Sequence, residues 1–527
     1  MMPPNMKKHI VFKGDARAKL VEGVELLANA VVTTLGPKGR NVAIMRQWGL
    51  PIVVHDGVTV AREVDVSDPL VEIGVLLVRE AAAKTNEEAG DGTTTSILLA
   101  REIVMEGLKL VDKGTNPMVL REQIMALLPR IREELQKLAK PVKGQEDITR
   151  VAFISSADEE IGKLVAEAVN KVGKDGLVTA DESKGMDTYV EYTEGMEFDK
   201  GYSSPYFVTN PQRMEAVIEK PVIAFIDKKI SLNNEIVPIL EAMAKESKDI
   251  VIIAEDITGD ALATIAANKM KGNINALAVH APGIGDNKTN YLSDLATLTG
   301  GRVLSDKMNM DVSDPKVWGH ADRVISSRET TVVIGGKGDK KDVEQRIADL
   351  RVQRDAEESK FEKEKIEERL ARMSTGVAVI KVGAKTEIDM RERIERVKDA
   401  IGAAEAARDE GIVPGGGTVF LRLRRILGNS EAEELLKRVF EAPARKLMEN
   451  SGEDEKSIEF IARIDVAEDV NYGYEVKEGI CTDLMKAGII DPVKVVRLAL
   501  ENAISVACSI LTTDALIGLE ILEEKHS

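Results

Sequence analysis

The stretch that decides the interpretation of this chain lies at residues 90–95. There the string Gly-Asp-Gly-Thr-Thr-Thr directly precedes an apolar helix predicted from about residue 94 to residue 113. Two glycines permit a tight turn that brings backbone N–H groups close to a ligand, and three hydroxyl groups follow at a helix N-terminus, which favours an anion. Because Asp91 would repel a bare phosphate, the string indicates a phosphate bound together with Mg²⁺. A glycine turn and a threonine-capped helix explain the same residues without a ligand.

Two loops elsewhere in the chain also carry glycine turns beside helices. Residues 33–39 read Thr-Thr-Leu-Gly-Pro-Lys-Gly after a predicted helix, and residues 414–417 read Pro-Gly-Gly-Gly before an apolar helix. Glycine and proline punctuation between helices explains each loop without a ligand. The sequence contains no G-x-x-x-x-G-K-[ST] string, which disfavours an ordinary P-loop ATPase. Its histidines lack the spacing of zinc ligands.

The spacing of apolar residues predicts a change of architecture in the middle third. The first third is helical, and so is the chain from about residue 399 onward. Between them, short apolar runs at residues 222–226, 250–253 and 276–279 alternate with helical stretches. This alternation predicts βαβ units, a largely parallel sheet and a separate α/β domain.

Two local patterns predict further elements. Residues 340–372 are rich in charged side chains but keep a narrow apolar stripe, which predicts a solvated helical hairpin lying on a domain. The pair Asp56-Gly57 lies between the apolar runs 52–54 and 58–60, which predicts a turn joining two short extended segments.

Length, charge and cysteine content exclude several classes of protein. The 527 residues predict about three or four domains. A net charge of −17 argues against a general binder of nucleic acid or anionic membrane. Two cysteines cannot form a disulfide framework, which fits a reducing cytosol. We expect no signal peptide and no apolar stretch close to the ~20 residues of a spanning helix, and hence a cytoplasmic protein.

Several motifs resemble those of the group I chaperonins, and they occur in the same order from about residue 11 to residue 516. The matching strings are TLGPKGRNV at residues 34–42, DGVTVARE at 56–63, AGDGTTT at 89–95, APGIGD at 281–286, ATLTGG at 296–301, GVAVIKVG at 376–383 and PGGG at 414–417. Group II chaperonins carry a built-in lid segment in the substrate domain, and this sequence has no extra segment of that kind.

The resemblance implies a multidomain α/β fold with three domains. A mostly helical, discontinuous equatorial domain at residues 1–136 and 411–527 would bind ATP. A small α/β intermediate domain at residues 137–194 and 376–410 would act as a hinge. An α/β apical domain at residues 195–375 would bind substrate.

The resemblance also implies an ATP and Mg²⁺ site, with K⁺ as a further candidate cofactor. Asp91 would hold Mg²⁺, and Asp56 and Asp399 would be the catalytic residues, with Asp399 orienting the attacking water. The implied nucleotide-binding residues are Thr34, Leu35, Gly36, Pro37, His55, Gly90, Asp91, Gly92, Thr93, Thr94, Thr95, Gly416, Glu475 and Asp491. Without the resemblance, turn and N-cap roles explain Asp56 and Asp399 better.

The implied substrates are unfolded polypeptides, bound by apical domains in a heptameric single or double ring, with a small co-chaperonin lid as a further candidate partner. The implied apolar contact residues are Tyr202, Tyr206, Phe207, Val237, Leu240, Leu262, Ala266 and Ala267. Core packing explains any one of these side chains. The binding role therefore requires that part of the set stays exposed.

Three departures from the family pattern bear on function. Ala266 and Ala267 replace bulkier aliphatic residues, which removes on the order of 1 kcal/mol of apolar burial per site. His55 replaces a lysine beside Asp56, and Glu475 begins a segment that replaces a small Asn-Ala-Ala string near the base pocket. These changes bear on turnover rate and on pairing with a lid.

The sequence thus favours an ATP-dependent chaperone that captures and encapsulates non-native polypeptides in a ring. One alternative is an ATP-independent holdase or structural ring with weak nucleotide binding, which His55 and Glu475 favour slightly. A metabolic enzyme acting on a phosphorylated small molecule is a further alternative. It is disfavoured because no acid–base or nucleophile constellation accompanies the aspartates.

Overall fold

The chain divides into two compact units. The computed structural model describes residues 6–45, 51–173, 176–183, 185–193, 195–211, 213–283, 285–305, 314–357 and 359–521. The first unit comprises Met1–Glu167 with Glu387–Ser527, and the second comprises Ala168–Thr386. The first is mostly helical and the second is α/β, in agreement with the predicted fold class. The boundaries of the three predicted domains remain a prediction.

Helices and strands are numbered in chain order. The helices are α1 (Lys13–Val32), α2 (Gly57–Glu63), α3 (Pro69–Ala89), α4 (Thr93–Asp112), α5 (Pro117–Leu138), α6 (Gln145–Ser156), α7 (Glu159–Val172), α8 (Asn233–Ala244), α9 (Gly259–Met270), α10 (Asp286–Thr299), α11 (Lys340–Ala356), α12 (Lys360–Thr375), α13 (Glu387–Glu410), α14 (Thr418–Leu423), α15 (Glu431–Val439), α16 (Ala442–Ser451), α17 (Asp454–Val466), α18 (Leu484–Ala487) and α19 (Val493–Thr512). The strands are β1 (Met6–Phe12), β2 (Val42–Ile44), β3 (Ile52–Val54), β4 (Leu177–Glu182), β5 (Tyr189–Thr193), β6 (Gly195–Phe198), β7 (Ala216–Glu219), β8 (Val222–Ile230), β9 (Asp249–Ile257), β10 (Asn275–His280), β11 (Val303–Leu304), β12 (Gly319–His320), β13 (Arg323–Ser326), β14 (Thr331–Ile334), β15 (Val377–Val382), β16 (Ile412–Pro414), β17 (Tyr472–Glu475), β18 (Ile480–Asp483), β19 (Ile490–Pro492) and β20 (Ala515–Ile521).

The core of the helical unit lies among α1, α3, α4, α5 and α19. Apolar residues three or four positions apart form the buried face of each helix, as Leu20, Val24, Leu27 and Val31 do on α1. This spacing is the one from which the helix was predicted. The packing of these helices places the N-terminus of α4, and hence the glycine string at residues 90–95, at the edge of the core.

Helix α19 corrects one expectation from the sequence. Its 20 residues, with a mean hydropathy of 1.5 over the most apolar window, are long and apolar enough to cross a membrane by length and composition. This finding contradicts the expectation that no apolar stretch approaches the length of a spanning helix. However, 67% of that window is buried within the protein, where α19 packs against α3, α4 and α5. An apolar helix surrounded by other helices is a core helix.

A second correction concerns residues 58–60, which we expected to be extended. They lie in α2, because the Asp56 carboxylate accepts hydrogen bonds from the backbone nitrogens of Val58 and Thr59 at 3.0 and 2.9 Å. This N-cap satisfies two N–H groups that a helix otherwise leaves unpaired. The cap overrides the preference of Val58, Thr59 and Val60 for strands.

The α/β unit confirms the predicted parallel sheet. Strands β8, β9, β10 and β11 run parallel in the order β10-β9-β8-β11, and β12 pairs antiparallel with β8. Helices α8, α9 and α10 connect the four parallel strands. An antiparallel sheet β6-β14-β13-β7 and a three-stranded sheet β4-β15-β5 complete the unit.

The charged stretch forms the predicted helical hairpin, α11 and α12. Its attachment to the unit is ionic as well as apolar. The buried Asp294 on α10 accepts from Arg369 Nε at 2.7 Å and from Arg346 Nε at 2.7 Å. Many of the other charged residues described in the hairpin are exposed, among them Lys340, Asp349 and Glu367.

Candidate functional site

The string at residues 90–95 forms a glycine turn that joins α3 to α4, as predicted. Gly90 ends α3 with φ +70° and Gly92 precedes α4 with φ +90°, backbone conformations that favour glycine. The ligand-free alternative of a threonine-capped helix is wrong: the N-cap is Gly92, and no side chain of the described residues caps α4. The N–H groups of the first turn of α4 therefore point to the site without a capping acceptor. This arrangement suits an anionic group.

The loop after α1 and the cap of α2 meet the same turn. A Cβ on Gly57 would lie 2.2 Å from Thr94 Oγ1 and 3.4 Å from Thr34 Oγ1, so these two hydroxyl groups lie beside the start of α2. Asp56 is held next to them by its N-cap bonds and by a third bond from Thr59 Oγ1 at 2.8 Å. The hydroxyl of Thr34 from the loop after α1, the hydroxyl of Thr94 from the first turn of α4 and the carboxylate of Asp56 thus converge at the N-terminus of α4.

Helix α13 brings Asp399 to this turn. A Cβ on Gly90 would lie only 2.5 Å from the Cα of Gly402, so the two backbones are in direct contact. Asp399 precedes Gly402 by three positions, and residues three apart lie on the same face of a helix. Asp399 is partly buried on that face. Gly402 could not be identified from the sequence, because a single glycine within a helical segment carries no distinctive signal.

The glycine loop at residues 414–417 lies beside Asp491. Strands β16 and β19 pair antiparallel with Val413 opposite Asp491. A Cβ on Gly415 would lie 3.0 Å from Asp491 Oδ1. A Cβ on Gly416 would lie 3.4 Å from the carbonyl oxygen of Tyr474. The loop is therefore enclosed between the Asp491 carboxylate and the backbone of β17.

Side-chain hydrogen bonds fix the Leu35–Lys38 loop. Asn450 Nδ2 donates to the carbonyl oxygens of Val32 and Leu35 at 3.1 and 2.9 Å. The next residues, Gly36 and Pro37, follow in the same loop, and Lys38 Nζ donates to the carbonyl oxygen of Lys477 at 3.3 Å.

His55 and Glu475 make local contacts of their own. His55 Nδ1 lies 3.2 Å from Asn41 Oδ1, so the imidazole is anchored to the chain just before β2. The Glu475 carboxylate accepts from the backbone nitrogen of Lys477 at 3.0 Å and from that of Glu478. Both of its oxygens are used within the β17–β18 turn. The predicted nucleotide contacts of His55 and Glu475 remain predictions.

Two carboxyl groups of the site have raised pKa values. Burial raises the pKa of Asp91, and repulsion from Asp56 adds to the effect, while the backbone N–H of Gly92 and the hydroxyl of Ser155 oppose it. Burial raises the pKa of Asp491 to about 7, with repulsion from Asp91 as the second cause. Carboxylates that repel one another in a partly buried site favour a bound cation, which would supply the missing positive charge.

These residues fit Mg²⁺ bound together with a phosphate group. Among the described residues, no group of three or more histidine, cysteine, aspartate or glutamate side chains could hold a metal ion by itself. Mg²⁺ characteristically uses one or two carboxylates and takes its remaining ligands from phosphate and water. Asp91, next to an uncapped helix N-terminus, offers that combination.

The eight residues predicted to contact unfolded client polypeptides fall into an exposed set and a buried set. Tyr206 is 68% exposed, Ala267 is exposed, and Val237 and Leu262 are partly exposed. The buried members are Tyr202, Phe207, Leu240 and Ala266. The apolar face of α8 itself, with Ile236, Ile239 and Met243, belongs to the core of the unit. Core packing therefore explains half of the predicted set.

Lys269, which no motif in the sequence marks, holds the turn that carries Tyr206. The 3₁₀ turn Pro205–Phe207 presents Tyr206 to solvent and buries Phe207. Lys269 on α9 donates to the carbonyl oxygens of Phe207 and Ala276 at 2.7 and 3.1 Å, and burial lowers its pKa to about 8. Lys269 thus ties the turn to α9 and β10.

Comparison with known proteins identifies relatives over nearly the whole chain. The family model described as the TCP-1/cpn60 chaperonin family matches residues 27–520. Among solved structures, the chain is similar to the chaperonin gp146 from the bacteriophage EL 2 (Pseudomonas aeruginosa), which was crystallised in the presence of ATP-BeFx. The identity is 22% and the TM-score 0.68, over 98% of this chain and 99% of that one. At this identity the likeness shows a common fold.

Proposed function

The chain belongs to the TCP-1/cpn60 chaperonin family, and on that premise we propose that it is an ATP-dependent molecular chaperone that captures non-native polypeptides. The observation that carries the proposal is the site around the N-terminus of α4. It combines an uncapped helix N-terminus, carboxylates that repel one another and direct contact with the helix that bears Asp399.

Within this proposal, the α4 turn is the phosphate end of an ATP site. Asp91 would hold Mg²⁺, which would neutralise phosphate charge when bound. The backbone N–H groups of Thr93 and Thr94, with the threonine hydroxyls, would bind phosphate oxygens. Gly416 and Asp491 would face the sugar and base, since they lie together at the β16–β19 pair. The raised pKa of Asp491 favours a neutral carboxyl that can donate a hydrogen bond to a hydroxyl group.

Asp399 and Asp56 are the proposed catalytic residues. Asp399 lies on the face of α13 that contacts Gly90, so a movement of α13 would move this carboxylate relative to the phosphate site. Orienting a water molecule for attack requires a carboxylate at a fixed position. Hydrolysis would then depend on the position of α13, which is a form of conformational gating.

The proposed client surface is the exposed part of the predicted set. Tyr206, Val237, Leu262 and Ala267 are exposed or partly exposed in the α/β unit, and Leu232 and Met270 add exposed apolar area at the ends of α8 and α9. Contiguous exposed apolar side chains characterise binding sites. Several copies in a ring would add weak contacts together through multivalency.

We further propose the finer assignments that the motifs imply. These are membership of group I, a homo-oligomeric heptameric ring that encapsulates its clients, a cytoplasmic location and use of a separate small lid protein. The support is the order of the sequence motifs and the lack of an extra lid segment in residues 195–375. K⁺ is a further proposed cofactor.

Phosphate release tests the assignment of Asp399. We expect Asp399→Ala to lower the steady-state rate about a hundredfold or more, since it removes the group that orients the nucleophile. The affinity for MgATP should change little. The matched control is Asp409→Ala on the same helix, which removes the ion pair of Asp409 with Lys494. Equal rates for wild type and Asp399→Ala would contradict the assignment.

Refolding of a chemically denatured enzyme tests the chaperone function. We expect a higher yield with MgATP than without nucleotide, and no gain from MgATP with Asp399→Ala. The second candidate function is an ATP-independent holdase, which the replacement of a lysine by His55 favours. A yield that is independent of ATP, together with suppressed aggregation of the client, would support the holdase instead.

A further inference from the structure

Arg422 is an almost fully buried arginine in the helical unit. It lies on α14, directly after the Pro414–Gly417 loop, and only 3% of it is exposed. Burial lowers its pKa to about 10, and repulsion from Arg425 contributes. Burying a charged group is costly unless hydrogen bonds compensate for the lost water. The question is therefore which groups compensate for the desolvation of Arg422.

The partners of Arg422 are five backbone carbonyl oxygens from one segment. Its guanidinium donates to the carbonyl oxygens of Ile464, Ala467 at 3.5 Å, Asp469 at 3.0 Å, Val470 at 3.2 Å and Tyr472 at 2.7 Å. Among the described residues no carboxylate is hydrogen-bonded to it. The first two acceptors lie at the C-terminal end of α17, where the helix dipole favours a cation.

The segment that Arg422 holds leads directly into the wall of the nucleotide site. Tyr472 is the first residue of β17. A Cβ on Gly473 would lie 2.2 Å from Thr418 Oγ1, and a Cβ on Gly416 would lie 3.4 Å from the Tyr474 carbonyl oxygen. The backbone of β17 therefore packs directly on the glycine loop. Its position depends on the residues that anchor its first carbonyl group.

We propose that Arg422 is a positioning residue for nucleotide binding. By holding residues 464–472 through five carbonyl groups, it fixes β17 against the Gly415–Gly417 loop and so sets the affinity of the site for nucleotide. The inference rests on the proposed function, because it assigns a role at the same site. Arg422 itself touches neither the phosphate turn nor Asp399 in the contacts of the described residues, so it should affect binding and leave the chemical step unchanged.

The test compares the 527-residue wild-type protein with three variants, Arg422→Lys, Arg422→Met and the control Arg463→Lys. Lysine keeps the charge but lacks the planar fork that serves several acceptors at once. We expect Arg422→Lys to raise the Kd for MgADP, measured by calorimetry, and the KM for MgATP by about tenfold, with kcat within about twofold of wild type. Arg463 pairs with the exposed Glu459 on the same helix α17, and its substitution should leave both constants unchanged.

Three results would overturn the proposal. If wild type binds MgADP and Arg422→Lys binds it equally well, only the positioning role of Arg422 fails. A loss of kcat with unchanged KM would also contradict that role. If wild type binds neither MgADP nor MgATP, the proposed nucleotide site fails and the role of Arg422 fails with it.

Hydrogen exchange keeps the test decisive if both Arg422 variants fail to fold. In wild type, MgADP should slow amide exchange of residues 464–475 more than that of α15, which lies outside the segment. Unchanged exchange in residues 464–475 on saturation with MgADP would contradict the coupling between this segment and the site.

Discussion

The proposed nucleotide site and the proposed client surface differ in how the chain builds them. At the proposed nucleotide site, Thr34 and Thr94 both lie beside Gly57, and Asp56 is held next to them as the N-cap of α2. The backbone contact between Gly90 and Gly402 adds the helix that carries Asp399. At the client surface, neighbouring residues of one predicted set have opposite environments: Tyr206 is 68% exposed and Phe207 is fully buried.

This difference shows which property of a residue a sequence motif encodes. A glycine turn or an N-cap depends on the residue type at one position, so the motif and the local geometry agree. Exposure depends on what packs against a side chain from distant parts of the chain. The client surface should therefore tolerate changes that the nucleotide site does not, provided that the changes fall on exposed members.

The largest effect is expected at the buried half of the client set. Phe207→Ala should lower the free energy of unfolding of the α/β unit by about 3–5 kcal/mol, because it removes a fully buried aromatic ring from the core. Denaturant unfolding followed by circular dichroism measures this change. Client capture would fall as well, but only because the unit unfolds.

The neighbouring residue is the matched control for Phe207→Ala. Tyr206→Ala should leave the free energy of unfolding within about 0.5 kcal/mol, since surface substitutions have small effects. It should weaken the binding of a denatured client, measured by fluorescence anisotropy. Equal destabilisation by both variants, or undiminished client binding by Tyr206→Ala, would contradict the division into an exposed and a buried half.

The second effect tests the nucleotide site through its backbone contact. Gly90→Ala would put a Cβ 2.5 Å from the Cα of Gly402 and strain a residue at φ +70°. Because α13 must shift to make room, Asp399 would be displaced, and we expect phosphate release to fall roughly a hundredfold. Steady-state phosphate release at saturating MgATP measures the change.

Gly114 supplies the control for backbone strain alone. It also has a positive φ, +104°, but a Cβ there would meet no described atom within 4 Å. Gly114→Ala should cost about 1 kcal/mol of stability and leave phosphate release close to wild type. If both variants lose hydrolysis to the same extent, strain rather than the Gly90–Gly402 contact would be responsible.

Much of the fold could be predicted because its signals are local. The βαβ pattern predicted that β8, β9 and β10 form a parallel sheet, and the string at residues 90–95 predicted the turn that begins α4. The prediction that residues 58–60 are extended is wrong, because the N-cap at Asp56 outweighs the strand propensity of these residues. The apolar helix α19 was missed as a candidate span, and only its packing shows that it belongs to the core.

The parts of the candidate site that could not be predicted depend on long-range contacts. The motif at residues 89–95 contains Gly90, but its partner Gly402 lies more than 300 positions later in a helix of ordinary composition. Lys269 and Arg422 act on carbonyl groups, which every residue possesses, so no residue pattern marks their partners. Such contacts become visible only when the chain is folded.

The third effect uses the raised pKa of Asp491, about 7. An aspartate in the unfolded chain titrates near pH 3.9. Between these values the folded protein holds a proton that the unfolded chain has released, so the stability of the ligand-free protein should fall as the pH rises through this window. Asp491→Asn removes this penalty and should stabilise the ligand-free protein by about 1–2 kcal/mol at pH 8.

The pH dependence itself is the control for Asp491→Asn. Thermal unfolding at pH 4 and pH 8 should show a gain over wild type at pH 8 and a much smaller one at pH 4, where the folded aspartate is protonated and about half of the unfolded chains still carry the proton. The same substitution should weaken nucleotide binding, since it alters a proposed ligand contact. A gain of equal size at both pH values would show that the carboxyl charge is not the cause.

The smallest effect is expected at His55, where the proposed nucleotide site carries a histidine in place of the lysine that the resemblance implies. His55→Lys would place a permanent positive charge next to Asp56, on a residue that now contacts Asn41 at 3.2 Å. We expect the KM for MgATP to fall roughly two- to threefold at low ionic strength, because an added cation attracts the phosphates. Salt screens such charges over about 8 Å at physiological ionic strength, so the decrease in KM should become smaller as KCl is added. The uncharged control His55→Gln should show no decrease in KM at any salt concentration. A KM that falls equally in both variants would assign the effect to the lost Asn41 contact, and His55 would then matter to this site through its packing alone.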